Sequence, residues 1–127
     1  TLVLKFQTAE ELEKAITNKT KLLILPYPNN PTGAIMSRSD LAEIANIVRK
    51  HDLLVISDEI YSELTYDNHT HVSFASVGDM YERTITINGF SKAFAMTGWR
   101  VGYACGASEL ISVMNKIHQC LRRVAKR

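Results

Sequence analysis

The chain has 127 residues, of which 46% are hydrophobic and 22% charged, a balance typical of one globular unit with its own core. Its net charge of +2 is too small to predict a nucleic-acid partner. No apolar run approaches the roughly 18 residues that a membrane span needs, so no membrane partner is predicted. Cys105 and Cys120 fall in apolar runs, which favours core thiols in a reducing compartment over a disulfide.

The first predicted elements are a short helix and a strand. A capping-box pattern beginning at Thr8 opens the helix, which we expect to end near Asn18. The continuous apolar run 22–25 then predicts a parallel strand buried on both faces. Pro26 has no N–H donor, so we expect the hydrogen-bond ladder of this strand to stop there.

A second helix and a second strand complete a repeating unit. Ser37 to Asp40 form another capping pattern, and the helix that follows has an apolar face of Leu41, Ile44, Ala45 and Val48. The run 53–56 predicts a second buried strand. Strand, helix and strand in this order predict a right-handed parallel unit.

Three polar residues follow the ends of predicted strands. Asn30 follows the first strand, Asp58 the second, and Lys92 the alternating run 84–87, which alone could be a half-exposed strand. Ligands of parallel sheets bind beyond the carboxyl ends of the strands, so we expect these residues near one edge. Taken segment by segment, Asn30 is also typical of a turn and Asp58 of a helix-like cap.

The remaining segments predict mainly structure. The polar stretch 66–71 predicts a surface loop, and a metal site at His69 and His71 is disfavoured because no third ligand is near in sequence. Ser108 opens a last helix, in which Met114 is expected to fill the core.

The chemistry concentrates between Ser91 and Arg100. A lysine at the mouth of a strand can be partly desolvated, which frees its amine as a nucleophile toward carbonyls. An arginine nearby can hold a phosphate through two parallel hydrogen bonds. Lys92 and Arg100 thus meet the two needs of a phosphate-bearing aldehyde.

Three ordered motifs resemble those of the class I/II, fold type I, pyridoxal-phosphate aminotransferases, in particular bacterial aspartate, aromatic and N-acetyl-diaminopimelate aminotransferases. They are Asn30–Gly33, Asp58–Tyr61 and the segment from Ser91 to Tyr103. The resemblance implies an α/β fold, a three-layer large domain with a mostly parallel sheet and flanking helices. It also implies that residues 1–127 are part of that domain, without its N-terminal part and without the small domain.

The resemblance implies pyridoxal 5'-phosphate as cofactor and assigns catalytic residues. Lys92 would form the Schiff base and then act as general base. Asp58 would keep the pyridine nitrogen protonated, because a nearby negative charge raises its pKa. Asn30 and Tyr61 would bond the phenolic oxygen of the cofactor.

The same resemblance places the phosphate of the cofactor on Arg100 and Ser91. Many relatives carry a second hydroxyl three residues before the lysine, where this chain has Gly89. We therefore expect the phosphate to depend on Arg100, Ser91 and residues outside this chain.

The implied reaction is ping-pong transfer of an amino group between an amino acid and a 2-oxo acid, in a cytoplasmic homodimer. The isolated chain is expected to be inactive. A pyridoxal-phosphate carbon–sulfur lyase is an alternative, although Trp99 within the last motif favours a transaminase. A further alternative is the aminotransferase-like sensor domain of a transcription regulator.

Overall fold

A five-stranded sheet forms the centre of the chain in the computed structural model, which describes residues 2–3 and 8–124. The strands lie side by side in sequence order: β1 (Leu2–Val3), β2 (Leu22–Pro26), β3 (Leu54–Asp58), β4 (Thr84–Gly89) and β5 (Gly102–Cys105). Strands β1 to β4 are parallel, and β5 pairs antiparallel with β4. The prediction of a mostly parallel sheet is confirmed, and 84–87 belongs to an interior strand.

In the part of the chain that the structure describes, four α-helices accompany the sheet: α1 (Ala9–Ala15), α2 (Arg38–Lys50), α3 (Phe90–Ala93) and α4 (Ser108–Val124). Short 3-10 helices span Phe74–Ser76, Met80–Arg83 and Thr97–Trp99. Helix α1 ends at Ala15, before the predicted Asn18, because Ile16 adopts an extended conformation.

The capping box predicted for α2 is present. The Ser37 hydroxyl accepts from the Asp40 backbone N–H at 3.2 Å, while the Asp40 carboxylate accepts from the Ser37 N–H at 2.8 Å. The Ser37 hydroxyl also donates to the Asp40 carboxylate at 2.7 Å, and this bond, followed by the one from the Ser37 N–H, holds the pKa of Asp40 below its usual range. A reciprocal pair of this kind satisfies N–H groups that the first helical turn leaves without partners.

The core lies on one face of the sheet. Leu23 and Leu25 of β2 are 1% exposed, and they pack with Leu12 of α1 and Leu41 of α2. Side chains on a strand alternate between faces, and the opposite face is open enough that Leu54 of β3 is 40% exposed. The prediction that these strands are buried on both faces is therefore wrong for the described part of the chain.

Strand β2 ends at Pro26, where the sequence predicted that it would stop. Pro26 pairs with Asp58 of β3, and the next backbone N–H, that of Tyr27, donates to the Asp58 carbonyl at 3.2 Å. A proline removes one donor from the ladder but keeps its carbonyl. The predicted end of the strand is therefore confirmed, and the Tyr27 bond is one backbone contact beyond it.

Two predictions about apolar runs near the end of the chain are wrong. Helix α4 forms as predicted, but Met114 on its apolar face is 37% exposed and does not fill the core. Cys105 and Cys120 are unpaired and exposed, so they are not core thiols. Apolar periodicity identifies which face of a helix is apolar. That face becomes buried only where another segment packs against it.

Among the residues described, no helix combines the length and the apolar character that crossing a membrane would require.

Replacing Leu41 with alanine is expected to lower the free energy of unfolding by about 2–5 kcal/mol, because its fully buried side chain would leave a cavity. The same truncation at Leu64, which is 42% exposed, is the matched control and should cost about 0.5 kcal/mol or less. Urea denaturation followed by circular dichroism measures both. Equal costs at the two positions would contradict the packing of α2 on the sheet.

Candidate functional site

The carboxyl ends of β2, β3 and β4 meet at one edge of the sheet, and backbone hydrogen bonds continue past the strands. The Tyr27 N–H donates to the Asp58 carbonyl at 3.2 Å, and the Glu59 N–H donates to the Ile87 carbonyl at 2.9 Å. The residue that follows β2 is thus hydrogen-bonded to β3, and the residue that follows β3 is hydrogen-bonded to β4. This edge carries the segments that supply Asn30, Asp58 and Lys92.

Asn30, Tyr61 and Lys92 come together at this edge. The side-chain amide of Asn30 donates to the Tyr61 hydroxyl at 3.1 Å. The Lys92 ammonium lies 5.4 Å from the centroid of the Tyr61 ring, within reach of a cation–π attraction. Three residues from separate motifs are therefore in contact through the Tyr61 side chain.

Asp58 and Arg100 line one open pocket with a volume of about 320 Å³. Its other walls are Ile60, Ile87, Asn88, Gly89, Val101 and Gly102. The Asp58 carboxylate accepts from the Ile60 N–H at 3.3 Å, so it caps the turn after β3 as the sequence allowed. The Arg100 guanidinium donates to the Thr97 carbonyl at 3.1 Å. A negative and a positive side chain thus border the same cavity.

Ser91 lies in α3 directly before Lys92 and is half-buried. Gly89, at the end of β4, faces a close approach of β5. A Cβ atom at Gly89 would lie 3.0 Å from the Val101 carbonyl oxygen and 3.2 Å from the Gly102 Cα. A hydroxyl-bearing side chain at this position would therefore require β5 to shift. The close approach of β5 thus explains on steric grounds why a glycine occupies position 89.

A buried carboxylate that the sequence analysis missed lies directly behind Asp58. Glu59 is 3% exposed, and its carboxylate accepts four hydrogen bonds. The donors are the Ser57 hydroxyl at 2.8 Å, the Ser73 hydroxyl at 2.9 Å, the His71 Nε2 at 2.9 Å and the Phe74 N–H at 3.2 Å. The alternation of side chains along a strand could have identified Glu59 from the sequence, because it places Glu59 on the opposite face from Asp58.

The prediction of a surface loop at 66–71 is wrong for His71, whose side chain is only 12% exposed and pairs with Glu59. Burial raises the pKa of Glu59, but hydrogen bonds from His71, Ser57 and Ser73 outweigh it and hold the pKa below its usual value. Burial, together with the negative charge of Glu59, raises the pKa of Tyr27 well above its usual value. Within residues 2–3 and 8–124, no group of three or more metal-ligating side chains is placed to hold a metal ion.

Comparison with known proteins gives a family match over most of the chain. A family model described as aminotransferase class I and II matches residues 5–121. The aspartate aminotransferase of Pyrococcus abyssi is 53% identical over 107 residues, which are 84% of this chain and 28% of that protein. The chain therefore spans less than a third of the length of this relative.

Solved structures show the same relationship. An aromatic aminotransferase from Pyrococcus horikoshii matches with a TM-score of 0.84 and 52% identity over 88% of this chain and 30% of its own. An aspartate aminotransferase from Thermus thermophilus, solved with maleate, matches with a TM-score of 0.80 and 46% identity over 86% of this chain and 28% of its own. The fold of this segment and its resemblance to aminotransferases are thus confirmed.

Replacing Gly89 with serine is expected to destabilise the protein by about 1–3 kcal/mol, because the new Cβ would press on the backbone of β5. Its backbone φ of −175° is open to any residue, so the cost would come from contact and not from conformation. A Cβ atom added at Gly98 would meet no atom within 4 Å, so Gly98→Ser is the control. Thermal unfolding measures both variants, and equal melting temperatures would contradict the close approach.

Glu59 is expected to make the stability depend on pH below about 4.5. Its pKa is lowered in the folded state, so its contribution is present above the unfolded value and is lost as pH falls through the folded value. The difference in unfolding free energy between the unchanged protein and Glu59→Gln should therefore shrink on acidification. Denaturant titrations at several pH values measure it, with exposed Glu63→Gln as control. A difference independent of pH would contradict an ionised Glu59.

Proposed function

Because the chain belongs to the class I and II aminotransferase family, we propose that it is the cofactor-binding part of a longer enzyme that transfers amino groups between amino acids and 2-oxo acids. The observation that carries this proposal is the contact of Asn30, Tyr61 and Lys92 at the carboxyl edge of the sheet. Asp58 and Arg100 border a pocket at the same edge.

The residues present fit pyridoxal 5'-phosphate. The site offers a primary amine, a carboxylate, a hydroxyl paired with an amide, and a guanidinium, one for each reactive part of that molecule. A cavity of about 320 Å³ falls within the range of small-molecule sites. When bound, this cofactor supplies an aldehyde that combines with amines and a ring that withdraws electrons from the substrate carbon.

Lys92 would hold the aldehyde through its amine and, once displaced by the substrate amine, would carry the proton between carbon atoms as general base. The side chain is exposed above the Tyr61 ring, so its amine is accessible from the open side of the edge. One residue would thereby serve the two half-reactions of a ping-pong cycle.

The other residues would set charge and orientation. The carboxylate of Asp58 would stabilise a protonated pyridine nitrogen by its negative charge. Asn30 and Tyr61, already hydrogen-bonded to each other at 3.1 Å, would share the phenolic oxygen. Arg100 would hold the phosphate by charge-assisted bonds, with Ser91 as a second donor.

The larger setting is also proposed from the family. The chain matches 28% of the Pyrococcus abyssi relative, so the N-terminal part, the small domain and the substrate-selecting residues would lie outside it. The longer enzyme would be a cytoplasmic homodimer, and the isolated chain would be inactive. The relatives' names include aspartate and aromatic aminotransferases, so the substrates proposed for the longer enzyme are acidic or aromatic amino acids.

Replacing Lys92 with alanine in the longer enzyme should abolish the visible absorption band of lysine-bound pyridoxal phosphate, because no amine would remain to bind the aldehyde. Amino-transfer activity should fall by a factor of at least about 1,000. Lys116→Ala, on the exposed surface of α4, is the matched control and should leave both unchanged. Absorption spectra and a coupled 2-oxo acid assay measure the two effects. An unaltered band in the Lys92 variant would refute the assignment.

A further inference from the structure

We propose that Glu59 is a positioning residue, which anchors the turn 58–61 from the face of the sheet opposite the site. The inference rests on the proposed function, because it concerns the segments that would hold the cofactor. Glu59 does not reach the pocket lined by Asp58 and Arg100, so it would act only through its neighbours.

The first argument is the number of segments that converge on this carboxylate. Ser57 belongs to β3, His71 to the loop after the turn, and Ser73 and Phe74 to the start of the next 3-10 helix. All donate to Glu59 at 2.8–3.2 Å. Hydrogen bonds from three segments therefore hold the first residues of the turn, in addition to the backbone hydrogen bonds of the sheet.

The second argument links this cluster to the Asn30 segment. The Tyr27 ring lies 5.1 Å from the His71 ring, centroid to centroid, and the Tyr27 hydroxyl donates to the Val72 carbonyl at 2.9 Å. Tyr27 leads directly into the turn that carries Asn30. One cluster of buried and half-buried side chains, consisting of Tyr27, Ser57, Glu59, His71 and Ser73, therefore supports both partners of the Asn30–Tyr61 hydrogen bond.

The third argument is the charge of the anchor. Hydrogen bonds to an ionised acceptor are roughly twice as strong as those between neutral groups, so an ionised carboxylate holds its donors in a narrow geometry. Glutamine would keep one oxygen for Ser57, Ser73 and Phe74 and present an amide N–H₂ toward His71. Glutamine should therefore preserve much of the anchor, whereas alanine should remove it.

The test compares Glu59→Ala, Glu59→Gln and the exposed control Glu63→Ala in the longer enzyme. Amide hydrogen exchange without cofactor should accelerate about 10-fold in 27–34 and 58–64 for Glu59→Ala, relative to α2. The Kd for pyridoxal phosphate should rise on the order of 10-fold, which is the size of effect expected when residues that orient the ligands of a metal site are removed. Glu59→Gln should recover most of both changes, and Glu63→Ala should show neither.

The outcomes separate the possibilities. If Glu59→Ala lowers only the melting temperature, with local exchange and Kd equal to those of Glu63→Ala, Glu59 is a general stabilising residue and the inference is overturned. If that variant does not fold, Ser73→Ala, which removes one donor, must show the same local pattern at smaller size or the inference fails. If the unchanged protein binds no pyridoxal phosphate, the proposed function fails, while the exchange measurement still decides the anchoring.

Discussion

Two backbone hydrogen bonds at the carboxyl edge of the sheet constrain everything else at the site. They join Tyr27 to Asp58 and Glu59 to Ile87, so three strands leave the sheet in a fixed relative register. Because side chains alternate along a strand, this register sends Asp58 and Glu59 to opposite faces. The sheet thus determines which carboxylate borders the pocket and which is enclosed behind it.

Local sequence was sufficient where local interactions determine the structure. The capping box at Ser37, the apolar face of α2 and the order of the parallel strands all follow from residues close together in the chain. The convergence of Asn30 and Lys92 at one edge also followed, because the ends of parallel strands share an edge. The role proposed for each side chain needed the resemblance to a family, since a turn asparagine has the same local pattern with or without a ligand.

The wrong predictions concern burial, which depends on distant segments. A polar stretch of loop residues predicts exposure, yet His71 is enclosed because Glu59 and Tyr27 lie beneath it. In the opposite direction, Met114 and Leu54 lie in apolar patterns and are 37% and 40% exposed. A sequence shows which faces are apolar, while the arrangement of the other segments decides which of them are covered.

The two adjacent carboxylates differ in the acceptor capacity that remains to them. An ionised carboxylate accepts about four hydrogen bonds, and Glu59 already has four donors. Among the described residues, Asp58 accepts one bond, from the Ile60 N–H at 3.3 Å, and its side chain borders the pocket that Arg100 also lines. A carboxylate whose acceptor positions are filled has none left for a ligand, whereas one with open acceptor positions can bind a protonated nitrogen. With the functions proposed above, the sheet would separate anchoring by Glu59 from binding by Asp58. A buried charge would then support the site without competing for its ligand.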